Sequence, residues 1–209
     1  TAILHIALTV RTCREVLAAA GFSTDLVTLC LDSVAEPVGK LLIKHPQTAI
    51  VDFTGSARFG AWVEQNAHPA SSYTETSGVN TVVLESMDDL ESVARSLAVT
   101  MNLFSAQMCT SPQNIYVPRG GVAVGSRQAS VDEVCDALAT AFRAVVAQPK
   151  RASSILAAVQ SPATLDLLAR LRESGARRGA ILLDSAPYTH PDFPAARTAT
   201  PLLLRVAPD

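Results

Sequence analysis

The first half of the chain alternates between two hydrophobic patterns. Over residues 2–20 apolar positions recur every three or four residues, which is the spacing of a helix with one apolar face, and Gly21 follows where a helix commonly ends. Residues 26–31 and 49–53 are short apolar runs typical of buried strands, and residues 36–44 between them form a second predicted helix. This alternation with short connections predicts an α/β fold with a parallel sheet covered on its faces.

The second half continues the same alternation. Further strands are predicted at residues 79–84, 115–117, 180–183 and 202–206, and further helices at 88–108, from 130 and from 161. The stretch after residue 117, with Gly120 and Gly121, and the proline-rich stretch 187–201 are predicted loops. A strand so near the end of the sequence needs a neighbouring strand, so we expect the chain to be a fragment of a longer protein.

Capping signals mark three of the helix starts. They are Ser86 with Asp89, Ser130 with Glu133, and Ser161 with Pro162. Gly175 is predicted to lie just past the end of the last helix.

Composition narrows the class of protein. Of the 209 residues 48% are apolar and 17% are charged, which supports a sizeable core. The net charge of −2, without a basic stripe, argues against a nucleic-acid partner, and no apolar run approaches the roughly 18 residues that span a bilayer.

Cysteine spacing indicates a reducing environment. The four cysteines form no CxxC pair, so neither zinc nor a disulfide framework is expected, and a cytoplasmic location is the simpler interpretation. Cys13, Cys30 and Cys135 fall on apolar faces of predicted elements and are expected in the core.

The strand at 49–53 leads into a turn suited to an anion. Gly55 and Ser56 connect it to an amphipathic stretch that ends near Asn66. The first N–H groups of such a helix point outward with a favourable dipole. A Ser56 that only caps the helix explains the same pattern equally well.

Cys109 and Glu75 are the candidate reactive groups. A thiol becomes a good nucleophile when a base or a positive environment activates it, and a carboxylate 34 residues earlier in the chain can be that base. Cys109 is predicted at the C-terminal exit of the helix 88–108, where the helix dipole does not favour a thiolate. Activation must therefore come from other groups.

Three segments in this order resemble the core of the aldehyde dehydrogenase superfamily. They are residues 53–60, residues 75–80 with Glu75, and residues 107–117 with Cys109. The resemblance implies the end of a Rossmann-type cofactor-binding domain over residues 1–73. It also implies an α/β catalytic domain over residues 74–209 that is incomplete at its C-terminus.

The resemblance also implies roles for six residues. Cys109 would be the nucleophile and Glu75 the general base, while Gly55 and Ser56 would lie beside the cofactor pyrophosphate. Thr76 and Ser77 would lie near the nicotinamide of NAD or NADP. The reaction implied is oxidation of an aldehyde to an acid through a thiohemiacetal and a thioester on Cys109.

The finer pattern is most similar to the phenylacetic-acid-degradation branch. Thr76, Ser77 and Val79 depart from the Leu, Gly and Lys that most members carry, and residues 78–83 resemble that branch. Its substrates are aldehydes of aromatic catabolism linked to coenzyme A. A homo-oligomer is expected for the complete protein, and weak or no activity for this chain alone. Two alternatives stay open: a non-catalytic structural module, and a cysteine-dependent thioester hydrolase.

Overall fold

Residues 3–33, 35 and 37–207 of the chain are described by a computed structural model. They divide into two compact units between Ser77 and Gly78. The first unit contains α1 (Ile3–Ala19), a 3₁₀ turn (Thr24–Leu26), α2 (Val38–Ile43), β1 (Ile50–Gly55), α3 (Ala57–Asn66) and β2 (Ser71–Thr76). The helices predicted at 2–20 and 36–44 are confirmed as α1 and α2, while Ala2 and Glu36 lie outside the described residues.

The second unit has more strands than the sequence pattern predicts. Its elements are β3 (Asn80–Val83), β4 (Ser86–Met87), α4 (Leu90–Ala106), β5 (Pro112–Tyr116), β6 (Val122–Val124), β7 (Arg127–Ala129), α5 (Val131–Ala147), α6 (Pro149–Ile155), α7 (Pro162–Arg178), β8 (Gly179–Leu183) and β9 (Leu203–Val206). Parallel pairing is confirmed for β1 with β2, β3 with β5, and β4 with β6. β7 and β9 pair antiparallel with β6 and β8.

The first unit is built around a strand, helix and strand crossover. β1 and β2 lie parallel, and α3 connects them and covers one face through buried Val63 and Ala67 against Val51. α3 approaches β2 so closely that a Cβ on Gly60 would stand 2.5 Å from Cγ2 of Thr76. A glycine is therefore required where the helix crosses the strand.

The second unit has its core between α4 and α5. Leu90, Ala94 and Ala98 of α4 are buried in one cluster with Leu138 and Phe142 of α5. The predicted capping box of α5 is confirmed: the N–H of Glu133 donates to Ser130 Oγ, and the Ser130 N–H donates to the Glu133 carboxylate. That second hydrogen bond is the main cause of a lowered pKa of Glu133. None of the described helices combines the length and the apolar character needed to cross a bilayer.

Two predictions for the first unit need correction. The strand predicted at residues 26–31 does not form: Leu26 belongs to the 3₁₀ turn, and residues 27–31 pair with no described strand. Cys30 in this stretch and Cys13 on α1 are exposed rather than in the core, whereas Cys135 on α5 is buried as predicted. The described residues of α1 include no buried one, so its apolar stripe does not pack into a core of this unit.

Three predictions for the second unit also need correction. α4 begins after Asp89, whose carboxylate caps the N–H of Ser92, because Ser86 is taken up by β4. α7 continues beyond Gly175 to Arg178, since this glycine lets the helix pack on Leu204 of β9. The loop predicted after residue 117 contains the β6–β7 hairpin, whose three-residue strands are too short to give an alternating pattern.

The Gly60 contact gives a stability prediction. Gly60→Ala forces a methyl group against Thr76, so overpacking of about 1–3 kcal/mol should exceed the roughly 1 kcal/mol that alanine gains in a helix. Urea unfolding followed by the fluorescence of Trp62, the chain's single tryptophan and a residue of α3, measures this unit directly.

Gly120→Ala is the matched control, because a Cβ at Gly120 would meet no atom within 4 Å. Equal unfolding midpoints for the two variants would show that α3 does not approach β2 this closely.

Candidate functional site

Five of the six predicted site residues lie at one edge of the first unit. β1 and β2 run parallel, with Thr54 opposite Glu75 and Gly55 opposite Thr76, so both strands end at the same edge. The N–H of Ser77 donates to the carbonyl of Gly55 over 3.3 Å, which joins the two strand exits. The carboxyl ends of parallel strands are where α/β sheets bind ligands.

Ser56 begins α3 in the geometry of an N-cap. Its Oγ accepts the N–H of Phe59 over 3.3 Å, and its carbonyl accepts the N–H of Gly60 over 2.9 Å. Within the described part of the chain, the N–H groups of Ala57 and Arg58 donate to no protein acceptor. The first turn carries Arg58 and no acidic residue. The cap predicted for Ser56 therefore forms, and the two remaining N–H groups are donors of the kind that can bind an anion at a helix N-terminus.

Glu75 lies on the face of the β1–β2 pair that α3 does not cover. Thr74 Oγ1 donates to the carboxylate of Glu64 on α3, and Thr76 packs on the same helix at Gly60. Because side chains alternate along a strand, the side chain of Glu75 points to the opposite face, where it is exposed. Its carboxylate is open to solvent and to a ligand.

Cys109 lies in the second unit, at a central position of a tight turn. The Ser111 N–H donates to the Met108 carbonyl over 3.1 Å, so Cys109 and Thr110 are the two residues in the middle. The helix predicted to continue to Met108 already ends at Ala106. Cys109 is exposed, and its N–H donates to no other described group.

Asn80 holds this turn from the start of β3. Its Nδ2 donates to the carbonyl of Cys109 over 2.6 Å and to that of Ser111 over 3.3 Å. Ser111, only 2% exposed, also donates through Oγ to the carbonyl of Thr100 over 3.2 Å. The sequence reasoning assigned no role to Asn80. The signal in the sequence is a polar residue at the start of an otherwise apolar strand.

The buried cysteine differs in its chemistry from Cys109. Burial in the core raises the pKa of the Cys135 thiol, which disfavours the thiolate. No group of three or more His, Cys, Asp or Glu side chains with metal-binding geometry occurs among the described residues.

Asn80→Ala should loosen the turn while the fold persists. The Cys109 and Ser111 carbonyls lose their side-chain donor, at a cost of about 0.5–1.5 kcal/mol for each bond, since the first bond is exposed and the second part-buried. Amide hydrogen exchange over residues 107–111 should accelerate more than exchange in α5.

Asn66→Ala is the matched control, because Asn66 Nδ2 donates to the Trp62 carbonyl in the first unit. Exchange over 107–111 that is equally fast in wild type and Asn80→Ala would contradict the role given to Asn80.

Solved aldehyde dehydrogenases have the same fold as this chain. An NAD-dependent aldehyde dehydrogenase from Burkholderia multivorans is 40% identical with a TM-score of 0.86, over 97% of this chain and 36% of that one. Aldehyde dehydrogenase C from Pseudomonas syringae is 18% identical with a TM-score of 0.63, over 83% of this chain and 35% of that one, and this likeness concerns the fold alone.

Curated relatives match a part of this chain. A 1-pyrroline-5-carboxylate dehydrogenase of Bacillus cytotoxicus is 33% identical over 105 residues, which are 46% of this chain and 20% of the relative. This chain thus spans about a fifth of the curated relatives that it matches. The family model described as the aldehyde dehydrogenase family matches residues 5–209. The predicted α/β, aldehyde dehydrogenase-like fold class is confirmed, and the chain belongs to the aldehyde dehydrogenase family.

Proposed function

We propose that the protein oxidises an aldehyde to a carboxylic acid with NAD or NADP, and that Cys109 is the nucleophile. The observation that carries the proposal is the exposed Cys109 in a hydrogen-bonded turn, in a chain of this family. The 40% identity to an NAD-dependent aldehyde dehydrogenase supports the same cofactor class.

The first step is addition of the Cys109 thiolate to the aldehyde carbon. The Sγ–C bond forms while the carbonyl π electrons move to oxygen, which gives a tetrahedral thiohemiacetal with a negative oxygen. The N–H of Cys109 donates to no other described group, and we propose that it stabilises that oxygen. Asn80 supports this step by fixing the carbonyl of the same residue.

The second stage breaks the C–H bond and then releases the acid. A nicotinamide cofactor, when bound, would accept the hydride, which would leave the carbon as a thioester of Cys109. Water then attacks the thioester carbon and the thiolate leaves; Glu75 is the proposed general base that takes the proton of this water, a role that the family resemblance implies. The net change is aldehyde, water and oxidised cofactor to acid, reduced cofactor and a proton.

The cofactor is proposed to bind at the β1–β2 edge. Ser56 and the N–H groups of Ala57 and Arg58 would hold a phosphate there, and Gly55 gives the backbone room to approach it. Thr76 and Ser77 would lie near the nicotinamide, as the family resemblance implies. We propose residues 1–73 as cofactor domain and 74–209 as catalytic domain, while the compact units divide after Ser77.

The cytoplasm is the proposed site of action, because the nucleophile must stay a reduced thiol. A homo-oligomer is proposed for the complete protein.

Acyl transfer without cofactor tests the two reactive groups. With p-nitrophenyl acetate as probe, Cys109→Ala should abolish the acyl adduct that mass mapping finds at position 109. Glu75→Gln should leave formation of the adduct nearly unchanged but slow its hydrolysis by about 100-fold, because the base for water is lost.

Two variants serve as controls. Cys13→Ala removes an exposed thiol elsewhere, and Asp52→Asn removes a carboxylate from β1 on the same exposed sheet face as Glu75. If Asp52→Asn slows hydrolysis as much as Glu75→Gln, Glu75 is not the base. Cys109 acylated no faster than Cys13 and Cys30 would favour the non-catalytic module. Rapid turnover of the ester without binding of NAD or NADP, measured by calorimetry, would favour the thioester hydrolase.

The aldehyde itself is proposed to be linked to coenzyme A, as in aromatic catabolism. Thr76, Ser77 and residues 78–83 support this branch, whereas the curated relatives are named 1-pyrroline-5-carboxylate dehydrogenases. In the complete protein, the kcat/KM for a CoA-linked aldehyde should exceed that for a short free semialdehyde by about tenfold or more, since binding of remote groups contributes to catalysis. A higher kcat/KM for the free semialdehyde would contradict the CoA-linked substrate and indicate a small free aldehyde instead. Reduced cofactor forming at ordinary enzymatic rates would contradict the expected weakness of this chain alone.

A further inference from the structure

The segment that leads into Cys109 has an unusual backbone. The last turn of α4 leaves helical geometry at Leu103, and Phe104, Ser105 and Ala106 have φ values of 53°, 57° and 60°. None of the three is glycine, and side chains with a Cβ rarely adopt this left-handed region. Such a run persists only where the surroundings hold it in place.

Buried hydrogen bonds hold this segment at Ser105. The side chain of Ser105 is 3% exposed, and its Oγ donates to the carbonyl of Ala158 over 2.8 Å and lies 3.3 Å from Oγ1 of Thr198. The carbonyl of the same residue accepts Nε2 of Gln160 over 3.2 Å. Side chain and backbone of Ser105 are thus both fixed from outside α4.

Gln160 connects three segments through one amide group. It is 5% exposed, its Nε2 donates to Ser105, and its Oε1 accepts the N–H of Ala199 over 3.0 Å. Its own N–H donates to the carbonyl of Arg197 over 2.8 Å. Since one end of the amide meets a carbonyl and the other an N–H, its orientation is determined.

Hydrogen bonds fix this segment beside a cavity. The cavity, of about 180 Å³, borders Ser105, Ala106 and Gln160. Gln107 also connects the end of α4 to the segment before Gln160, because its Nε2 donates to the carbonyls of Phe104 and Val159. Cys109 follows two residues later.

We propose that Gln160 is a positioning residue, which holds residues 103–106 in their left-handed path and thereby sets the direction of the Cys109 turn. The proposal rests on the function proposed for Cys109 as the nucleophile. Asn80 restrains the turn at its carbonyls, and Gln160 restrains the chain that enters it. The two residues therefore act on opposite ends of one short segment.

Two reagents distinguish the orientation of the Cys109 thiol from its accessibility. Alkylation by iodoacetamide needs only an accessible thiolate, whereas acylation by p-nitrophenyl acetate also needs donors directed at the developing oxyanion. In the full chain, Gln160→Ala should lower the ratio of acylation to alkylation at Cys109 by about tenfold. Hydrogen exchange over residues 104–111 should accelerate. Gln128→Ala is the matched control, because Gln128 Nε2 donates to a backbone carbonyl at Gly120 in an exposed hairpin.

The other cysteines report on the fold in the same samples. Cys13 and Cys30 are exposed references for reagent activity, and buried Cys135 becomes reactive only when the second unit opens. Gln160→Met keeps the volume but not the hydrogen bonds and is the second variant. An unchanged ratio with unchanged exchange overturns the proposal. Reactive Cys135 in both variants also overturns it, since Gln160 would then support the whole unit rather than the turn.

A different result would contradict the proposed function without contradicting the role of Gln160. If wild-type Cys109 is acylated no faster than Cys13, the nucleophile is wrong. Faster exchange over residues 104–111 in Gln160→Ala then still establishes the structural link to the turn.

Discussion

Parallel pairing of strands is the constraint on which both candidate regions depend. Two parallel neighbours must be joined by a crossover, and a helix between them brings the carboxyl ends of both strands to one edge. β1, α3 and β2 follow this rule, and so do β3, α4 and β5. In the first unit the rule gathers a helix N-terminus and Glu75 at one edge. In the second, α4 returns the chain so that the turn before β5 meets the beginning of β3 at Asn80.

The two regions are held by different kinds of force. The β1–β2 edge is shaped by close packing, because α3 fits only where Gly60 leaves room for Thr76. The Cys109 turn lies at the surface, where packing contacts are few. Its conformation depends instead on side-chain amides that donate to backbone carbonyls. Each such bond contributes only modestly to stability, but each fixes a direction.

Several features that depend on neighbouring residues followed from the sequence, whereas the start of α4 and the end of α7 were decided by distant strands. The capping box of Ser130 and Glu133 and the glycine end of α1 at Gly21, whose φ is 76°, form as predicted. The strand at 26–31 does not form, because a strand exists only with a partner. In the candidate site, motif order indicated Cys109 and Glu75. Asn80 and Gln160 escaped prediction because their partners lie 29 and 55 residues away and are backbone groups without a side-chain signature.

Asn80 binds the backbone of the Cys109 turn and not the sulfur, so its hydrogen bonds do not depend on the chemical state of the thiol. Its two hydrogen bonds end on the carbonyl oxygens of Cys109 and Ser111, which every residue type and every covalent adduct presents alike. An acylated, alkylated or truncated side chain at position 109 therefore keeps both acceptors of Asn80. A reaction cycle that forms and cleaves a bond to this sulfur need not rearrange the loop at each turnover. A covalent probe on Cys109 would therefore report the native loop geometry.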